Sequence, residues 1–231
     1  MDYTYILVII GAGITMLAQA LVTGRYNKYK EIDSNGKMTG KEIARKILDA
    51  NGLQKVKVQQ VQGELTDHYD PTNKTVNLST RIYSESSIAS VAVAAHECGH
   101  AIQDKVGYNF LKIRHNMVPT VNICSKLGYL VIFIGLLAGF FNIAMIGLIL
   151  LGAILVFQFV TLPVEFNASS RAKKQLNELN LIDPMGANGV SDMLFAATLT
   201  YVAALASSIL QILRLFLIIT SRRRNNKIVL T

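Results

Sequence analysis

Three blocks of the chain are apolar without the polar positions of a water-facing helix or strand. Tyr5 to Val22 is an uncharged run of eighteen residues, near the lower limit for a helix that spans a bilayer. Val118 to Leu162 runs for forty-five residues, broken by Lys126 and Asn142. One span takes about twenty residues, so this block predicts two helices joined in a tight hairpin near Asn142, with Lys126 close enough to an end to snorkel. Leu127 to Phe141 and Ile143 to Leu162 are apolar on every face, which fits lipid rather than a soluble core. Met193 to Ile219 is mixed. It is long enough to cross but contains Gln211 and Arg214, is rich in Ala, Ser and Thr, and runs into Arg222-Arg223-Arg224.

Charge flanking these blocks orients them. A signal peptide carries positive charge ahead of its apolar region, whereas here only Asp2 precedes the first block and Arg25, Lys28 and Lys30 follow it. The first block therefore reads as a retained anchor with the N-terminus outside and residue 25 onward in the cytoplasm. A crossing by the third block would carry Arg222 to Arg224 outside, against the charge rule. Three spans are expected, four being the competitor, with the C-terminal helix packed on the cytoplasmic part.

Between anchor and hairpin the patterning is that of a globular segment. Thr39 and Glu42 read as a capping box opening a helix whose apolar face is Ile43, Ile47 and Leu48, closed by Asn51-Gly52. Lys55 to Val61 and Thr75 to Ser79 read as short strands, with a turn at Asp70-Pro-Thr-Asn between them. Ser86 or Ser87 caps a helix running to about Asp104. The expected domains are an anchor (1–24), a cytoplasmic segment (25–117), a transmembrane hairpin (118–162) and a C-terminal part (163–231).

Composition agrees. Hydrophobic residues make up 51% and charged residues 16%, and mean hydropathy is +0.36, which excludes disorder. Two cysteines exclude a disulfide-stapled secreted module. The net charge of +8 abuts apolar runs rather than forming a basic stripe interleaved with aromatics, so the partner is an anionic membrane surface and not nucleic acid.

The helix after Ser87 contains His96-Glu97-Cys98-Gly99-His100, the H-E-x-x-H pattern. At about 100° per residue, His96 and His100 leave one helix face and can share a metal ion, while Cys98 points away as a packed thiol. Neutral imidazoles suit zinc, and Glu97 beside them is placed to take a proton from water and pass it to a leaving amine. Gly99, with Ala94 and Ala95, permits close backbone packing. Cys124, at the membrane edge, is read like Cys98. A catalytic zinc takes three protein ligands. His68 and His115 qualify by type, but Glu165 is better placed, directly after the hairpin. There Pro163 is expected to end the membrane helix and a new helix to begin, carrying Glu165, Ala168, Ser169, Ala172 and Leu176 on one face. Two crossings return Glu165 to the side of His100.

The segments 38–44 (MTGKEIA), 65–71 (LTDHYDP), 93–103 (VAAHECGHAIQ), 162–169 (LPVEFNAS) and 199–204 (LTYVAA) resemble the YugP-like neutral zinc metallopeptidases of bacterial membranes over almost the whole chain. More distantly the chain is similar to the HtpX and CAAX-prenyl-protease type, in which a glutamate after a membrane hairpin is the third zinc ligand. The resemblance implies an α+β gluzincin-like minidomain on a mainly helical bundle of three or four transmembrane helices. It also implies one zinc per chain, held by His96, His100 and Glu165, with Glu97 as catalytic base. Those relatives carry Glu-x-x-Ala-Asp where this chain has Ser169, so Asn167 or Ser169 would have to support the ligands. Tyr201 is a candidate for oxyanion polarisation, and Arg171 for a structural partner of a buried acid or helix end. Thr75, Val76, Asn77, Leu78 and Ser79 are candidates for a sheet edge that pairs with extended substrate. The expected activity is hydrolysis of peptide bonds in membrane or membrane-associated proteins at the cytoplasmic face of a bacterial membrane. A zinc-stabilised membrane adaptor is the alternative, and membrane partner proteins or a homo-oligomer are left open.

Overall fold

The computed structural model describes residues 4–229. In chain order the elements are α1 (Tyr5–Tyr29), α2 (Gly40–Ala50), β1 (Lys57–Val61), β2 (His68–Asp70), β3 (Thr75–Ser79), α3 (Thr80–Ser84), α4 (Ile88–Lys105), α5 (Asn109–Leu137), α6 (Phe141–Glu178) and α7 (Pro184–Val229). They form two compact units, one of residues 1–18, 113–162 and 200–231, the other of residues 19–112 and 163–199.

The second unit is α+β. Thr39 caps α2 as expected: its backbone N–H donates to Glu42 Oε2 at 2.8 Å and its hydroxyl accepts from the Glu42 N–H at 3.3 Å. Ser87 caps α4 by accepting from the Ser90 N–H at 3.2 Å. Ile43, Ile47 and Leu48 of α2, Val76 and Leu78 of β3, and Ala92 and Ala95 of α4 are fully buried, in one core with Tyr26, Ala172, Leu176 and Leu194. The sheet order is β1-β3-β2, with β1 parallel and β2 antiparallel to β3. This corrects the reading of Thr75 to Ser79 as a sheet edge. β3 pairs with β1 along its length and with β2 over Thr75 to Asn77, so it is the central strand, and the edges are β1 and β2.

In the first unit α5 and α6 form the expected hairpin, turning at Ala138 to Phe140 with Gly139 at φ +74°. Its core contains Ile132, Ala144, Leu148 and Leu151 together with Leu215 and Ile219 of α7. α1 lies antiparallel to α7: Gly11 faces Ser207 and Leu210, and the Tyr5 ring lies 5.1 Å from the Arg214 guanidinium carbon.

Two expectations are corrected here. Four helices of the described residues, rather than three, are long and apolar enough to cross a bilayer. The C-terminal helix does not pack on the globular unit alone, since residues 184–199 belong to that unit and residues 200–229 to the bundle. Counted singly, Arg214 looked like a charge at the lipid centre. Its neighbour is instead Tyr5, at the start of the α1 apolar run, whose ring face attracts the cation. The second correction concerns Pro163, which lies inside α6 and does not end it. Gln103 Nε2 donates to the Val164 carbonyl at 2.8 Å and the Tyr108 hydroxyl to the Pro163 carbonyl at 3.4 Å. Donors from outside the helix thus fasten the turn that begins at the proline.

Candidate metal centre

The globular unit brings α4 against α6 at a point where the α4 backbone has no room for a side chain. A Cβ at Gly99 would lie 2.5 Å from the Ala168 carbonyl oxygen, so only glycine permits this approach. The face of α6 turned inward carries Glu165, Ala168, Ser169, Ala172 and Leu176, all buried. Glu165 is only 1% exposed, yet it is a carboxylate, and it meets the two histidines of α4. His96 Nε2 lies 3.2 Å and His100 Nε2 3.7 Å from the same oxygen, Glu165 Oε2. The ligand atoms of these three residues lie within 4.8 Å of one another, the one such metal-ligating cluster among the described residues.

The donor chemistry fits zinc. Tetrahedral bonds of about 2.0–2.1 Å put neighbouring ligand atoms about 3.3 Å apart, close to the separations seen. The other ring nitrogens are already engaged. His100 Nδ1 is 3.0 Å from Gln103 Oε1, and His96 Nδ1 is 3.2 Å from Ser169 Oγ. With Nδ1–H donating to these oxygens, each Nε2 presents a lone pair toward Glu165, the tautomer a metal requires.

Support extends one shell further. Gln103 is fully buried, and its amide nitrogen donates to Asn167 Oδ1 at 3.0 Å as well as to the Val164 carbonyl. Arg171 Nε donates to the same Asn167 oxygen at 2.7 Å. Ser169 therefore touches a histidine directly, Asn167 acts through Gln103, and Arg171 orients Asn167. Gln103 received no role from the sequence. Its signal was an amide three residues beyond His100, on a helix otherwise lined there by buried apolar and small residues.

Glu97 is 7% exposed. Burial pushes its carboxyl up to about 7; His96 and the Tyr69 backbone N–H oppose the shift, while Glu165 and Asp67 add to it. Close to β2, the half-buried Asp67 carboxylate accepts from the Ser79 N–H at 2.7 Å and the Ser79 hydroxyl at 3.1 Å. Burial raises its pKa and the Ser79 bonds oppose the rise. Cys98 packs in the core and donates to the Ala44 carbonyl, and burial raises its thiol pKa. His68 faces Thr66 and Asn77 and is outside the cluster. Tyr201 stands on α7 within the bundle unit, as His115 does on α5.

A profile of the family described as "Putative neutral zinc metallopeptidase" matches residues 4–220. The chain is also 44% identical over 220 residues to the "Putative membrane protease YugP" of Bacillus subtilis (strain 168), covering 95% of this chain and 98% of that protein. The chain belongs to this zinc metallopeptidase family. No solved structure matches it. With four apolar helices of spanning length and a membrane-protease relative, it is a membrane protein.

Proposed function

We propose that the chain is a membrane-embedded, zinc-dependent endopeptidase of the gluzincin type, acting on membrane or membrane-associated proteins. The observation that carries the reading is the convergence of His96, His100 and Glu165 beside the buried Glu97. One zinc ion would be held by the three ligands, supplying a Lewis acid that makes water nucleophilic near neutral pH and polarises a peptide carbonyl. Glu97 takes the proton from the attacking water and delivers it to the leaving amine. Gln103 and Ser169 keep the two imidazoles in the ligating tautomer. Three ligands rather than four favour catalysis over a closed structural site. An extended peptide would pair with the outer edge of β2, since β3 is enclosed. Purified full-length protein in detergent should cleave unstructured peptides, stop after treatment with a zinc chelator and recover on adding zinc. Cleavage indifferent to chelation would refute the metal-dependent reading.

In this reading the globular unit faces the cytoplasm. Seventeen of the 23 Lys and Arg lie in residues 25–114 and 163–199, against four beyond Ser221, and basic residues stay inside. Four crossings then put the N-terminus, the hairpin tip and the C-terminus outside. In intact cells an impermeant maleimide should label Asn226→Cys and spare Lys37→Cys, in a Cys98→Ala, Cys124→Ala background. Labelling of the Lys37→Cys protein would reverse the orientation.

A further inference from the structure

The end of α7 meets the tip of the α5–α6 hairpin around a cleft of about 400 Å³. Phe140, Phe141 and Asn142 line it from the hairpin, and Arg223 and Asn226 from α7. Its chemistry is two-sided. Phe140 is 60% exposed and Leu137, on the same tip, 78%. Beside them Arg222, Arg223 and Arg224 are all exposed.

No ion pair is formed by these arginines among the described residues. Residues 113–162 and 200–231 contain no Asp or Glu, nor do residues 4–18, so the described residues of the bundle unit offer no carboxylate. Three adjacent guanidinium groups at the end of a helix repel one another. No carboxylate among the described residues of this unit neutralises them. A guanidinium presents planar, paired N–H donors that match phosphate oxygens, and the side-chain amides of Asn142 and Asn226 add neutral donors. The exposed aromatic and aliphatic side chains next to them match acyl chain and glycerol, which free phosphate and nucleic acid lack. The place is also right: the cleft lies where apolar helices end, at the depth of lipid headgroups.

We propose that this cleft is a binding site for the phosphate headgroup of an anionic phospholipid, with Arg223 as the central contact and Arg222 and Arg224 supplying long-range attraction. The site is independent of the peptidase reading, since none of its residues belongs to the metal centre.

The test uses full-length protein in neutral detergent, with phosphatidylglycerol and phosphatidylcholine of identical acyl chains added in competition, and retained lipid counted by native mass spectrometry. Wild type should retain phosphatidylglycerol preferentially. Each arginine near an anionic surface contributes about fivefold, so Arg222→Gln/Arg223→Gln/Arg224→Gln should lower that preference by up to about a hundredfold. Asn226→Asp, which places a carboxylate in the cleft and leaves every arginine in place, should also lower it while zinc content stays at the wild-type value. Equal retention of the two lipids by wild type would overturn the proposal. So would a preference unchanged in both variants, or one abolished by millimolar inorganic phosphate, which would mark a free-phosphate site.

Discussion

Glu97→Gln protein should bind zinc as tightly as wild type, keep or slightly raise its melting temperature, and cleave peptide at least about a hundredfold more slowly. The rate loss follows from the role: a positioned proton-transfer group contributes about 10²–10⁴-fold, and a glutamine amide of the same shape cannot take the proton. Retention of metal follows because Glu97 stands outside the cluster of three ligand residues. The stability expectation comes from burial. Glu97 is 7% exposed, and desolvation is the largest influence on its carboxyl; a neutral amide removes the cost of holding a charge there. Zinc content, thermal unfolding and steady-state hydrolysis measured on one preparation separate the three effects. Activity above a tenth of wild type would exclude Glu97 as the base and revive the adaptor reading.

Glu165→Ala should lose zinc outright. The carboxylate is the only one among the three ligand residues, and its Oε2 is the atom both Nε2 atoms face. Removing it leaves two neutral imidazoles, too few to hold zinc through dialysis against a chelator. A graded series sharpens the expectation. Gln103→Leu and Ser169→Ala leave every ligand in place but free one Nδ1 each, and should weaken zinc binding by about 10–100-fold. If Glu165→Ala retained zinc at the wild-type ratio, another group would be the third ligand and the centre would have to be redrawn.

The cluster of His96, His100 and Glu165 was legible because its geometry is encoded at short range. His96 and His100 share a face by helical periodicity alone, and the run of small residues after Glu165 marked a face that packs closely. Thr39 and Ser87 announced two helices through local capping. What escaped depended on partners far along the chain. Pro163 reads as a helix terminator until Gln103 and Tyr108 are seen to donate to the carbonyls around it. β2 is only three residues, too short to announce a strand, and it exists because β3 offers it an edge; that pairing in turn covers Thr75 to Asn77 of the strand read as an edge. The weight given to a fourth span turned on a related point. Arg214 is costly on an isolated helix, but in the bundle it has the face of Tyr5.

The contact between Gly99 and Ala168 changes which letters of the H-E-x-x-H pattern are free to vary. The pattern treats its two central positions as spacers. In this chain one of them, Cys98, is sealed in the core, and the other stands where any side chain would collide with the backbone that carries Glu165. Metal–ligand distances tolerate only about 0.2 Å, so a helix pushed aside to admit even a methyl group would take its carboxylate out of reach. For a library randomised across residues 96–100, the positions with no part in the chemistry would be nearly as unforgiving as the ligands. The motif behaves as five specified residues, Gly99 among them acting as a gauge for the gap between helices.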